Sequence, residues 1–326
     1  MSAVTQQKVR IRYVYNFEEL DRLPEGPSSA KVSPRRLLSG DSLATGKSTS
    51  VGAVVTGDRI HVALVHKPRG TGSKLHTHPN EQFNYVMQGT LIADIDGQVV
   101  RVPAGHVIHI PAGMVHSHVS SPEEDVIFVA VKDTRHGIVG PAVDGEHNGP
   151  RHLPGFGSEK NVWEVGADGL PRPESLNVTG KKVRYVYPID GLEQAPEGLC
   201  SARVTPKGFV SRKSSSHGAA LTGETLHVGL IHKARGSGSK LHTHPNEQFN
   251  LVIQGKLVGE IDGQSVEVPA GSVIHMPAGV QHSLMASGEG DVIFLVAKDT
   301  RHGLYGPPVD GVEDGPRFLP GFGPKK

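Results

Sequence analysis

Gly72-Ser73-Lys74-Leu75-His76-Thr77-His78-Pro79-Asn80-Glu81-Gln82-Phe83-Asn84 recurs, residue for residue, as Gly238 to Asn250. Working outward, His76 returns as His242, Gln82 as Gln248 and His116 as His282, a constant offset of 166 residues. The halves align without a gap from about Gly57 to Gly155. Nearer the start the offset is 172, with Tyr13-Val14-Tyr15 matching Tyr185-Val186-Tyr187. The first copy therefore carries about six extra residues between Pro34 and Gly57. The chain is an internal duplication. We divide it into residues 1–157, a Pro/Gly-punctuated linker 158–180, and residues 181–326.

Within one copy the pattern is short strands and turns. Ile60 to His66 is β-branched and apolar, and Gln82 to Met87 sets Gln82, Asn84 and Val86 on one face against Phe83, Tyr85 and Met87 on the other. Leu91 to Asp94 and Gln98 to Val102 flank Asp96-Gly97, a hairpin signal. Asp125 to Lys132 reads as the last buried strand. No segment between Gly57 and Lys132 has a helical period, and 41 glycines and 24 prolines favour turns over long helices. The expected fold is all-β: two small jelly-roll barrels in tandem.

The repeated run carries the chemistry. His76 and His78 are two apart on an extended segment, so both rings share a face. Pro79-Asn80 bends the chain, Gln82 points back to that face, and His116 supplies a third imidazole after the Pro111-Ala112-Gly113 turn. Three imidazoles and an amide oxygen suit a divalent transition metal. The expected ligands are His76, His78, Gln82 and His116, and in the second copy His242, His244, Gln248 and His282. Glu81 and Glu247 are alternative ligands, but on a strand they face away from Gln82 and Gln248. The shell is neutral, leaves two octahedral positions open, and should welcome a bidentate anionic oxygen ligand.

Around the metals, His109 and His275 are candidate catalytic acid–bases if their strand face lines the barrel interior. Asn84 and Asn250 share a face with the glutamines and are candidate substrate contacts. Lys74, Lys240, Arg69 and Arg235 are candidate rim cations for a carboxylate. Lys132-Asp133-Thr134-Arg135-His136-Gly137 recurs as Lys298 to Gly303, at a barrel edge where it serves either an interface or a substrate.

Gly72-x-x-x-His76-x-His78-x-x-x-Gln82 with Gly89, followed by Gly105, Pro111, Gly113 and His116, resembles the two motifs of the cupin superfamily. Both motifs occur twice, so the chain resembles a bicupin over roughly Gly57–Lys132 and Gly223–Lys298. The departure is glutamine where the commoner pattern has glutamate. The resemblance implies an intramolecular pseudo-dimer whose barrels exchange N-terminal strands, here Val9–Tyr15 and Val183–Tyr187, and it is compatible with a homo-oligomer. It implies a metal-dependent enzyme acting on a small molecule. The leading expectation is an Fe(II) dioxygenase, an oxidoreductase, of a small aromatic or dicarbonyl compound. The alternatives are an isomerase, lyase or decarboxylase of a small oxygenated acid using Mn, Zn, Ni or Co, and a non-catalytic sugar-acid or small-molecule binder.

Other classes find no support. Lysine plus arginine (34) balances aspartate plus glutamate (33) without like-charge blocks, so neither nucleic acid nor a membrane surface is an expected partner. One cysteine excludes an internal disulfide framework, and with no apolar leader the expected location is cytoplasmic.

Overall fold

A computed structural model describes residues 10–35, 48–146, 149–207 and 214–324. The extra residues of the first copy fall largely outside these, as does Val9. In the first copy the strands are β1 (Val14–Asn16), β2 (Lys31–Ser33), β3 (Val51–Thr56), β4 (Ile60–Lys67), β5 (Thr71–Gly72) and β6 (Gln82–Gln88). They continue as β7 (Thr90–Ile95), β8 (Gln98–Pro103), β9 (Val107–Ile110), β10 (His116–Ser120), β11 (Val126–Asp133) and β12 (Arg151–His152). The second copy repeats the series as β13 (Val186–Tyr187), β14 (Arg203–Thr205), β15 (His217–Thr222), β16 (Leu226–Lys233), β17 (Ser237–Gly238) and β18 (Gln248–Gln254). It ends with β19 (Lys256–Ile261), β20 (Gln264–Pro269), β21 (Ser272–Met276), β22 (His282–Ala286), β23 (Val292–Asp299) and β24 (Arg317–Phe318).

Each copy makes a sandwich of a seven-stranded and a five-stranded sheet. The first copy's sheets run β13-β9-β6-β11-β4-β3-β2 and β12-β5-β10-β7-β8, and the second's are equivalent. The barrels do exchange strands. β1 pairs antiparallel with β21 of the second barrel, Tyr15 opposite Val273, and β13 pairs with β9 of the first, Tyr187 opposite Val107. The exchanged strands are shorter than expected. Upstream of each, one isolated bridge, Arg12 to Ser28 and Arg184 to Cys200, replaces the ladder.

The exchange explains why the long strands are so apolar. Their seven-stranded sheets are buried on both faces. Facing the barrel interior are Ala63, Val65, Phe128 and Ala130. On the opposite face, Val62, Phe83, Tyr85, Val129 and Val131 join Tyr15, Phe17, Tyr187, Ile189, Phe249 and Leu295 in one core between the barrels. The Asp96-Gly97 hairpin forms as read, with φ of 52° and 71°, and Asp262-Gly263 repeats it at 50° and 71°; two positive φ values match the twist of a tight hairpin.

The linker is strapped to the first barrel. Asp94 accepts from the backbone N–H groups of Glu174 (2.6 Å) and Ser175 (2.9 Å), and Asp96 from the Val178 N–H (2.7 Å) and the Thr179 hydroxyl (2.6 Å). Trp163 is fully buried against Ile92, Val119 and Leu153.

Candidate metal centre

His76 and His78 lie in an irregular extended segment, not a regular strand. His76 makes an isolated bridge to His116, and Pro79-Asn80 bends the chain before β6. Asn80 holds that bend by donating its side-chain amide to the carbonyls of Asp133 (2.6 Å) and His136 (2.8 Å). Asp133 accepts the Glu81 N–H at 2.7 Å and ion-pairs with Arg135. The recurring Lys-Asp-Thr-Arg-His-Gly motif thus shapes the ligand turn and meets the other barrel, where the Thr225 hydroxyl donates to Asp133 at 3.1 Å.

The three imidazoles converge as the sequence implies. Ring centroids are 4.2 Å apart for His76 and His116, 4.9 Å for His78 and His116, and 5.8 Å for His76 and His78. The second site gives 4.3, 4.9 and 5.9 Å, so both are equally formed. One ligand atom from each histidine falls within 4.8 Å of the others. Each Nδ1 meets a backbone carbonyl: Lys74 O (2.8 Å), Asn80 O (3.0 Å) and Met114 O (2.9 Å). A carbonyl can only accept, so Nδ1 carries the proton and Nε2 presents its lone pair.

Three ligand atoms in the first site and two in the second are left without a partner. His78 Nε2, His116 Nε2 and Gln82 Oε1 are buried without a hydrogen bond, as are His244 Nε2 and His282 Nε2. Gln82 gives its Nε2 to Asn84 Oδ1 at 2.7 Å, which leaves Oε1 for the histidines; Gln248 and Asn250 repeat this at 2.8 Å. Burial, and then the nearby Lys132, holds His76 well below its ordinary pKa and His78 at about 4. Burial likewise lowers His244 to about 4. Neutral imidazoles and a neutral amide fit a divalent first-row ion, and a buried orphaned donor set without one would be costly.

Glu81 and Glu247 face away from this set and tie the barrels together. Glu81 accepts from the N–H groups of Glu224 (2.7 Å), Thr225 (2.8 Å) and Leu226 (3.0 Å), and Glu247 from those of Asp58 (2.8 Å) and Arg59 (2.9 Å). Gly57 and Gly223 leave room for these carboxylates. A Cβ at either would stand 2.1 or 2.0 Å from a glutamate oxygen.

His109 and His275 are corrected by the same geometry. His109 alternates with Ile108 and Ile110, which face the barrel interior, so its ring turns to the inter-barrel core. It stacks on Phe83 at 4.4 Å, meets Glu81 Oε1 at 3.0 Å and reaches the Ser201 hydroxyl of the second copy at 2.9 Å. His275 mirrors this with Phe249, Glu247 and Ser29. Desolvation opposes the charge on Glu81, yet the His109 hydrogen bond and the donated N–H groups win and hold its pKa at about 2.

Of the rim cations, Lys240 lines the second cavity, and Lys74, Arg69 and Arg235 line neither. Lys74 is buried, ion-pairs with Asp144 at 2.5 Å and donates to Glu146 O at 3.4 Å. Lys240 pairs with Asp310 (2.7 Å) and Asp314 (2.8 Å). Both latch the loop after the last long strand, and an ion-paired lysine is a poor substrate clamp. Arg69 and Arg235 are exposed outside the cavity linings, the latter over the Phe322 ring at 5.5 Å. Asn84 and Asn250 each orient the neighbouring glutamine, and Asn250 also lines its cavity.

Each metal site opens into a cavity of about 110 Å³ in the first barrel and about 120 Å³ in the second, room for a molecule of a few heavy atoms. Sequence reasoning missed its most consequential residues. Lys132 lies directly opposite Gln82 in the ladder, and Lys298 opposite Gln248, so both project into the metal cavity. Their Nζ atoms donate to Ile138 O (2.6 Å) and Leu304 O (2.8 Å), and burial lowers both pKa values to about 7. Their recurrence was visible in the sequence, but their register against the glutamines was not. No aspartate or glutamate lines either cavity among the described residues.

The comparisons agree with this architecture. The cupin domain family model matches residues 63–132 and 229–298. No curated protein matches the sequence. Among solved structures, oxalate decarboxylase from Bacillus subtilis at pH 4.6 is similar over 90% of this chain and 78% of its own, at 17% identity and a TM-score of 0.55. A structure of that enzyme concerned with its Mn(II) centres gives 16% identity, the same coverage and a TM-score of 0.56. AerE from Microcystis aeruginosa is similar over 77% of this chain and 92% of its own, at 13% identity and a TM-score of 0.50. Two matched domains, two metal-competent histidine clusters and two exchanged strands make this chain a bicupin of the cupin superfamily.

Proposed function

We propose that the protein is a divalent-metal enzyme that binds a small oxygenated acid at each site and cleaves or isomerises it without oxygen, decarboxylation being the first candidate and Mn(II) the first metal. The observation that carries this reading is the buried lysine beside each ligand set, Lys132 and Lys298, in a cavity lined by no acidic residue. A neutral shell leaves the ion's charge uncompensated, so the pair of cations demands an anion. The oxalate decarboxylase structures share the fold, which supports the choice of reaction class only as far as fold can.

When bound, the metal supplies Lewis acidity toward the acid's oxygens. Lys132 Nζ holds the substrate carboxylate by charge-assisted hydrogen bonds. On loss of CO2 the C–C bond breaks, its electron pair stays on carbon, and Nζ would give that carbon a proton. Val65, Phe128 and Ala130 give the first cavity apolar walls.

The second reading, an Fe(II) dioxygenase of a small aromatic or dicarbonyl compound, rests on those apolar walls and on Phe294 and Ile231 in the second barrel. Metal analysis followed by turnover under nitrogen and under air separates the two, using a panel of hydroxy, keto and dicarboxylic acids, catechols and β-dicarbonyls. CO2 release without oxygen supports decarboxylation; oxygen uptake with iron selects the dioxygenase. Lys132→Met with Lys298→Met should keep both metals and lose about a hundredfold or more in turnover; undiminished turnover would overturn the assigned lysine role.

A further inference from the structure

The two cavities are built from equivalent positions, so their differences can be read one by one. Ser73 and Ser239 are shared, and several exchanges are apolar for apolar: Val65 for Ile231, Ala130 for Val296, Ile138 for Leu304. Three exchanges differ in kind: Val51 for His217, Val139 for Tyr305, and His118 for Leu284. Two residues beyond the third ligand, on the same strand and face, the first barrel has His118 and the second has Leu284.

The His118 ring is edge-on to Phe128 at 5.7 Å and parallel to the His116 ring at 6.3 Å. It lines the first cavity and is only 7% exposed. It does not belong to the ligand cluster. Neither ring nitrogen has a hydrogen-bond partner among the described residues. Packing does not call for an imidazole here, since leucine fills the same position in the other barrel. The ring nitrogens of His118 are thus left for a molecule bound in the cavity.

The other two exchanges come from other elements, β15 and the loop after the last long strand. His217 borders the second cavity, stacks on His232 at 5.4 Å and shares strand parity with Ala219 and Leu221 of the inter-barrel core. Tyr305 stands where the first barrel has Val139, in the loop after the last long strand.

Resting on the reading that each metal takes a small oxygenated acid, we infer that the two barrels select different acids and that His118 determines the difference. In the first barrel it hydrogen-bonds a polar group on the substrate carbon remote from the metal-binding oxygens. In the second, Leu284 meets an apolar group at that place. A neutral imidazole offers one donor and one acceptor, which matches a hydroxyl.

The test uses full-length protein loaded with Mn(II), with one site disabled at a time: His242→Ala/His244→Ala leaves the first site, His76→Ala/His78→Ala the second. The probes are glycerate and 2-hydroxybutyrate, which share the carboxylate and 2-hydroxyl and differ by a terminal hydroxyl against a methyl. Calorimetry should show the first site preferring glycerate about tenfold and the second preferring 2-hydroxybutyrate. His118→Leu should abolish the first preference, and Leu284→His should transfer it to the second site. Equal ratios at the two sites, or a first-site ratio unmoved by His118→Leu, would overturn the inference and leave the acid-binding reading standing. If neither acid binds either metal-loaded site, the acid-binding reading falls and this inference with it. Should His118→Leu lose its metal, Leu284→His decides alone: a gained preference for glycerate supports the inference, and none gained overturns it.

Discussion

The barrels are alike where they hold metal and where they hold each other, and unlike where they meet substrate and linker. Ligand rings superpose to within 0.1 Å in centroid spacing, and each glutamate next to a glutamine ligand reaches into the opposite barrel. Yet the first barrel has His118 where the second has Leu284. The first barrel's Asp94 grips the linker, whereas Glu260, its counterpart, makes no hydrogen bond among the described residues. The difference teaches that duplication preserved the metal scaffold as one unit while the cavity walls and outer surface diverged.

The largest expected effect breaks the equivalence outright. His76→Ala/His78→Ala should reduce metal content from two ions per chain to about one by elemental analysis; loss of both would show that the barrels do not load independently.

Neighbouring residues should then separate cleanly. Glu81→Ala should destabilise the protein by about 3–5 kcal/mol in denaturant melts, because it strands His109 and several buried N–H groups. Gln82→Ala should leave the metal-free protein's stability nearly unchanged and weaken metal binding at least about tenfold. The opposite pattern would make Glu81 the ligand.

Acid sharpens the same point. The Glu81 pKa lies near 2, below its ordinary 4.5. Its stabilisation is therefore present above pH 4.5 and lost as pH falls toward 2, amounting to about 3 kcal/mol. Glu81→Gln should flatten that part of the stability profile; an unaltered profile would contradict the assigned network.

The smallest contrast lies where the linker packs against the first barrel. Asp94→Ala should cost about 1–3 kcal/mol through the lost linker hydrogen bonds, and Glu260→Ala less than about 0.5 kcal/mol. Equal costs in thermal melts would remove the linker strap as a distinction between the barrels.

Much of the site was legible because its signal is local. His76, His78 and Gln82 fall within seven residues, and the second copy repeats them at a fixed offset. The errors share one cause. His109 was read as facing the interior because alternation separates two faces without saying which is which. In a sheet buried on both faces, hydropathy does not break that tie. Lys74 was read as a rim cation because its partner, Asp144, lies about 70 residues away.

The sequence alone determined the duplication, the all-β strand pattern and the eight metal-ligand candidates, since these follow from periodicity and from side-chain chemistry at short range. Only the tertiary structure decided that Glu81 and His109 form an inter-barrel buckle and that Lys132 and His118 enter the metal cavity. Those assignments depend on strand register and on exchange between barrels, and both are set by contacts between residues far apart in the chain.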